Sequence, residues 1–164
     1  MKQSIVHWYA AQVRRHTEKK IKNYLENKGV EHCIPFQGDQ PVIPGFVFVR
    51  TDHETALSLP AESGYKISYL YGAGTGQFQV IPDKQIENFR FISNYWDETI
   101  LIDKLPNARY LGKVRVKEGK FKGIEGDLMR VKGHKRVIVK LEGVCTLAMT
   151  FIPMEYMEVI ENKI

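Results

Sequence analysis

The sequence predicts an α+β fold: an antiparallel sheet with helices packed on it, related to the ferredoxin-like arrangement, followed by a small closed β-barrel. Three observations carry this. Up to about residue 97 strand-like and helix-like segments follow in the order βαββαβ with one further helix. Periodicity then lapses through 98–111, where Pro106 and Asn107 sit, so a linker is expected there. From Lys113 onward the pattern is purely β, with five short strands in about fifty residues.

The elements follow in order. Ile5 to Val13 is rich in β-branched and aromatic residues with little polarity on either face, as in an interior strand. Thr17 can cap a helix in which Ile21, Tyr24 and Leu25 keep helical spacing, and Gly29 supplies its stop. Val30 to Phe36 reads as a second strand, Gly38-Asp39-Gln40-Pro41 as a turn, and Val42 to Thr51 as a third strand. In that strand Phe46 and Phe48 share one face, Val47 and Val49 the other. Residues 53–60 read as a short helix ended by Leu59-Pro60, and Tyr65 to Tyr71 as a strand. A last helix begins near Asp83, with Ile86, Phe89, Ile92 and Trp96 on its apolar stripe. The later strands are expected at 113–117, 127–132, 136–142, 144–150 and 156–160.

Composition places the chain among folded proteins, with 43% hydrophobic and 26% charged residues. No apolar run has the length of a signal peptide or a membrane span, so a cytoplasmic location with no membrane partner is expected. Cys33 and Cys145 have no second thiol at metal-ligand spacing and read as small buried hydrophobes. The net charge of +5 is unevenly spread: Lys113 to Lys140 holds ten Lys or Arg against three acids, a local net of +7. A solvated face and an attraction for phosphate both fit that excess.

Catalytic chemistry is not expected. The five serines have no nucleophile-elbow context, and the five histidines have no ligand-like spacing. Gly72-Ala-Gly-Thr-Gly76 brushes against a phosphate-binding loop but runs into strand-like Phe78-Gln-Val-Ile81 rather than a helix. No metal or cofactor is expected.

Two stretches stand out: Pro44-Gly-Phe-Val-Phe-Val49, and Val114-Arg-Val-Lys-Glu-Gly-Lys-Phe-Lys-Gly-Ile-Glu-Gly126 with the β-run after it to about Leu141. With Trp8-Tyr9 opening the first strand, they resemble the NusG family, whose NGN domain precedes a KOW motif in this order. The resemblance implies an NGN-like, RNA polymerase-binding domain at 1–97, a linker at 98–111 and an SH3-like KOW β-barrel at 112–164.

The resemblance further implies a transcription elongation factor without a cofactor. It places Phe46, Phe48 and Tyr71 on a patch that docks on the clamp helices of RNA polymerase; the alternative is that Phe46 and Phe48 fill the core. It sets Arg14, Arg15 and Lys20 where some relatives touch non-template DNA, against solvated helix charge as the alternative. Phe121, between Lys120 and Lys122, matches the family's ribosome-binding aromatic and could also meet RNA. The short join at Gln37 to Gln40 and the basic barrel resemble specialised paralogues of the RfaH and UpxY kind, which act as operon-specific antiterminators. The rival readings are a KOW-type RNA- or ribosome-binding protein that does not act on polymerase, and an enzyme with an unrecognised site. Val137-Ile-Val139 and the nearby glycines favour a stable barrel over one that switches to helix.

Overall fold

Strand β1, His7–Val13, lies at the centre of the N-terminal sheet. The computed structural model describes residues 4–102, 109–131, 133–149 and 152–161. These divide into two units, Met1–Ile86 and Glu87–Ile164.

In the first unit β1 is followed by helix α1 (Glu18–Lys28), strand β2 (Glu31–Cys33), the two-residue strands β3 (Phe36–Gln37) and β4 (Gln40–Pro41), and strand β5 (Phe46–Thr51). Helix α2 (His53–Ser63) and strands β6 (Ile67–Tyr69) and β7 (Val80–Ile81) come next, then helix α3 (Asp83–Ile92), which runs across the division. The sheet order is β2-β5-β1-β6, all antiparallel, with β7 also pairing with β1. Trp8, Tyr9, Ala10 and Ala11 are all buried, because β1 is covered on both faces. One face packs Tyr9, Ala11, Val47, Val49 and Ile67 against Ile21 and Leu25 of α1 and Ala56 and Leu59 of α2. The other carries Trp8, Ala10 and Phe48, also buried.

The first strand begins at His7 rather than Ile5, the strand expected at Tyr65 to Tyr71 covers only Ile67–Tyr69, and three further boundaries differ more widely from the sequence expectation. The second strand is cut at Pro35, which cannot donate to a ladder, so Phe36 instead forms a small hairpin with Pro41. The third strand begins only at Phe46, because Gly45 turns the chain at φ +81°. Helix α2 does not stop at Pro60; it sacrifices that residue's missing N–H bond and continues to Ser63, where Gly64 in the left-handed region donates to the Pro60 carbonyl at 3.1 Å. Helix α1 ends as expected, at left-handed Gly29. At its start Thr17 makes no cap to the helix; its hydroxyl donates back to the Arg14 carbonyl.

In the second unit α3 leads into a 3₁₀ turn, Ser93–Glu98, and strands β8 (Thr99–Ile102), β9 (Arg109–Val116), β10 (Glu125–Val131), β11 (His134–Leu141), β12 (Cys145–Met149) and β13 (Met157–Glu161). They form one antiparallel sheet in the order β13-β9-β10-β11-β12-β8. Its core gathers Val114, Leu128, Val137, Val139 and Met149 with Ile92 from the end of α3. Stretch 98–111, read from the sequence as a linker, supplies β8, which pairs with β12, and the start of β9. Pro106 and Asn107, and the strand ends expected at Lys132 and Thr150, lie outside the described residues, as does the side chain of Trp96.

Candidate functional site

The Pro44-Gly45 turn that launches β5 is tied to the start of α1. Glu18, only 2% exposed, accepts the Gly45 N–H at 2.9 Å, and the Gly45 carbonyl accepts from Val13 N–H at 2.9 Å. A buried carboxylate is sustained here because a backbone donor meets it. The lock sets Phe46 opposite Gln12 of β1 and Phe48 opposite Ala10. Phe46 is half-buried, but Phe48 is 1% exposed and belongs to the core. Tyr71 is 64% exposed and does not join them. It continues the opposite face, that of Tyr69, and leans edge-on against Phe78 at 5.3 Å, whose ring stacks on Tyr69 at 4.6 Å.

The β1–α1 turn gathers positive charge. Arg14 shares a cleft with Lys66, since Ile67 pairs with Val13 in antiparallel register, and Arg15 shares another with Lys19. Among the described residues none of Arg14, Arg15, Lys19, Lys20 or Lys66 has an acidic partner. Elsewhere in this unit Lys22 pairs with Glu26, Lys28 with Glu62 and Arg50 with Glu31. Sequence reading found Arg14, Arg15 and Lys20; Lys66 joins them only through strand pairing, which local sequence does not announce.

The second of these clefts, about 290 Å³, is lined by Phe36, Pro41 and Pro44 together with the charged Arg15, Lys19, Glu18 and Asp39. His16 has φ +74° and is the one non-glycine residue with positive φ among those described. A wider cleft of about 680 Å³ is lined by Tyr9, Phe78, His53 and Asp52, among others. There a hydrogen bond from Thr55 holds the Asp52 carboxyl below its usual range, and burial raises the Tyr9 phenol. No group of three or more His, Cys, Asp or Glu able to hold a metal occurs among the described residues.

In the second unit Phe121 is 5% exposed. Tyr95 meets it edge-on at 5.2 Å and Phe91 at 6.5 Å, and Lys120 Nζ lies 5.4 Å from its ring centroid. Lys120 and Lys122 are exposed. Sequence reading missed Phe91 and Tyr95, which sit roughly thirty positions before the ring they cover.

Comparison with known proteins adds the following. Residues 6–90 match the sequence profile of the family described as "NusG: Transcription termination factor nusG". No individually curated protein sequence matches the chain. Among solved structures, the chain is similar to one titled "Domain interaction in Thermotoga maritima NusG" at 17% identity and a TM-score of 0.48, covering 96% of this chain and 98% of that one. It is also similar to a chain of the MjSpt4:Spt5 complex in conformation A at 15% identity and a TM-score of 0.33, covering 95% and 99%.

Proposed function

Because this chain belongs to the NusG family, we propose that it is a transcription elongation factor that binds RNA polymerase and modulates pausing and termination, as an operon-specific antiterminator. One observation carries this reading: the family-matched residues 6–90 hold, beside the Glu18–Gly45 lock, both the half-buried Phe46 and cations of the β1–α1 turn that have no acidic partner among the described residues.

In this reading Phe46 is the accessible part of the clamp-docking patch, Phe48 supports it from within the core, and Tyr71 makes a separate contact. Arg14, Arg15 and Lys20, with Lys66, hold phosphates of the non-template strand without reading sequence. The result is a population shift: a factor that binds the closed clamp better than the paused state favours the closed clamp by that difference in affinity. The C-terminal sheet acts as an SH3-like KOW barrel, with Lys120 and Lys122 as its exposed contacts for ribosome or RNA and Phe121 as their apolar support.

Binding of the intact chain to its cognate core polymerase, followed by biolayer interferometry, tests the docking. Phe46→Ala is expected to weaken binding about tenfold or more, as interface aromatics do when truncated. Equal affinity for both proteins would move the contact elsewhere. The local net charge of +7 favours one alternative, an RNA- or ribosome-binding protein indifferent to polymerase. Salt-sensitive RNA binding with no polymerase binding would establish that alternative.

A further inference from the structure

The wider cleft of the first unit, about 680 Å³, lies where helix α2 begins and on the face of β1 that carries Tyr9. Phe46 belongs to the opposite face, that of Ala10, so the cleft is separate from the proposed docking patch. Its size falls within the range of ligand sites, about 300–1,000 Å³. One wall is aromatic. The half-buried Phe78 ring is held from several sides: it stacks on Tyr69 at 4.6 Å and meets His53 at 5.0 Å, Tyr71 at 5.3 Å and Tyr9 at 5.7 Å. Beside it the surface stays apolar, with Ile5 73% and Val80 40% exposed.

The charge of the cleft runs against that of the chain. The whole sequence carries +5, yet Asp52 and Glu54 line the cleft with no Lys or Arg beside them. Neither carboxylate has an ionic partner among the described residues. Hydrogen bonds from Thr55 and, at 3.3 Å, from the Thr51 hydroxyl fix the Asp52 carboxylate and keep it charged at neutral pH. Tyr9 is 4% exposed, lines the cleft, and has a hydroxyl with no hydrogen-bond partner among the described residues. A buried hydroxyl of this kind favours an occupant that can bond to it.

We infer that this cleft receives the side chain of an arginine carried between apolar residues on a protein partner. The guanidinium packs against the Phe78 ring, donates two parallel N–H bonds to Asp52 and one to the Tyr9 hydroxyl, and Ile5 and Val80 take the flanking apolar side chains. Arginine fits better than lysine, because its planar fork stacks on a ring and meets a carboxylate at two points, whereas an ammonium is a compact point charge. A nucleic acid is disfavoured, since both carboxylates repel its phosphates. Occupancy of the cleft does not depend on the polymerase contact, which uses the opposite face.

NMR titration of the isotope-labelled full chain with three blocked tripeptides tests it: a central arginine, lysine or citrulline, the neutral isostere of arginine, between two valines. The arginine peptide is expected to shift the amides of residues 52–55 and 77–80 and to bind about fivefold or more tighter than the citrulline peptide, a preference that shrinks as salt rises. Asp52→Asn keeps a helix cap, because Asn and Asp rank alike there, and should bring the arginine peptide to the citrulline level. Phe78→Leu, checked by thermal melting, should weaken arginine binding about threefold. Equal binding of the arginine and citrulline peptides, arginine binding unchanged by Asp52→Asn, or no shift at these amides up to about 10 mM peptide would overturn the site. Equal binding of the arginine and lysine peptides would overturn the assignment of a guanidinium.

Discussion

Tyr95 lies edge-on to Phe121, with ring centroids 5.2 Å apart and planes at 70°. The contact belongs to the C-terminal core, which holds the ring that the family resemblance offers as a ribosome or RNA contact. Phe121→Ala is therefore expected to destabilise that unit by about 3 kcal/mol or more, in the range for buried phenylalanines. Tyr95→Ala should cost at least the aromatic-pair contribution, about 1 kcal/mol. Urea unfolding followed by circular dichroism measures both, and a Phe121→Ala cost near zero would mean that the ring is not packed.

Glu18 and the Gly45 amide make a second testable pair. In Glu18→Ala a part-buried N–H loses its acceptor, which costs about 1 kcal/mol. Glu18→Gln retains an acceptor oxygen and is expected to recover most of that. If both variants melt at the same urea concentration as wild type, the lock between α1 and β5 contributes nothing.

Gly126 sits where β10 approaches β11, and a Cβ added there would lie 2.5 Å from the Ile138 carbonyl oxygen and 3.0 Å from Val137 Cγ1. Gly126→Ala must displace backbone, so a loss of about 3 kcal/mol is expected, at the upper end for overpacking. Gly133 has φ +82° but open space around it, so Gly133→Ala should cost only about 1 kcal/mol of backbone strain. Comparing the two unfolding midpoints tests the order, and a reversed order would contradict the close approach.

Tyr69 is 9% exposed, and its buried hydroxyl has no hydrogen-bond partner among the described residues. Burial pushes the phenol well above its ordinary 10.0, with the nearby Tyr9 adding to the rise. Below pH 10 the group is neutral folded and unfolded alike; above it the unfolded chain ionises first, so stability falls as pH climbs toward the folded value. Tyr69→Phe is expected to be neutral or stabilising by about 1 kcal/mol at pH 7, and to flatten the alkaline decline. Urea midpoints at pH 7 and above pH 10 decide it, and a clear loss at pH 7 would reveal a partner for the hydroxyl.

Local pattern made much of the first unit legible. The apolar run of β1, the split of Phe48 from Val47 and Val49, and the Gly29 stop of α1 all follow from strand alternation and helix capping. Features that depend on tertiary context were not. Pro60 reads as a terminator, yet α2 continues past it, with Leu59 buried against the sheet and Gly64 closing the end. Thr99-Ile-Leu-Ile102 lacks alternation and comes shortly before Pro106, so β8 is visible only through its pairing with β12. For the candidate site, Arg14, Arg15 and Lys20 are readable from the chain, but Lys66 and Phe36 join them only through strand and hairpin pairing. Tyr71 takes the face of Tyr69 rather than that of Phe46, because the β6–β1 register fixes its side of the sheet.

The central claim is tested most directly by single-round transcription with the cognate polymerase on a long, terminator-bearing template that includes the factor's own operon leader. Wild-type protein is expected to increase read-through, and a Phe46→Ala variant with an unchanged melting curve to lose that increase. No change in read-through or pausing with wild-type protein, across several templates, would contradict the account.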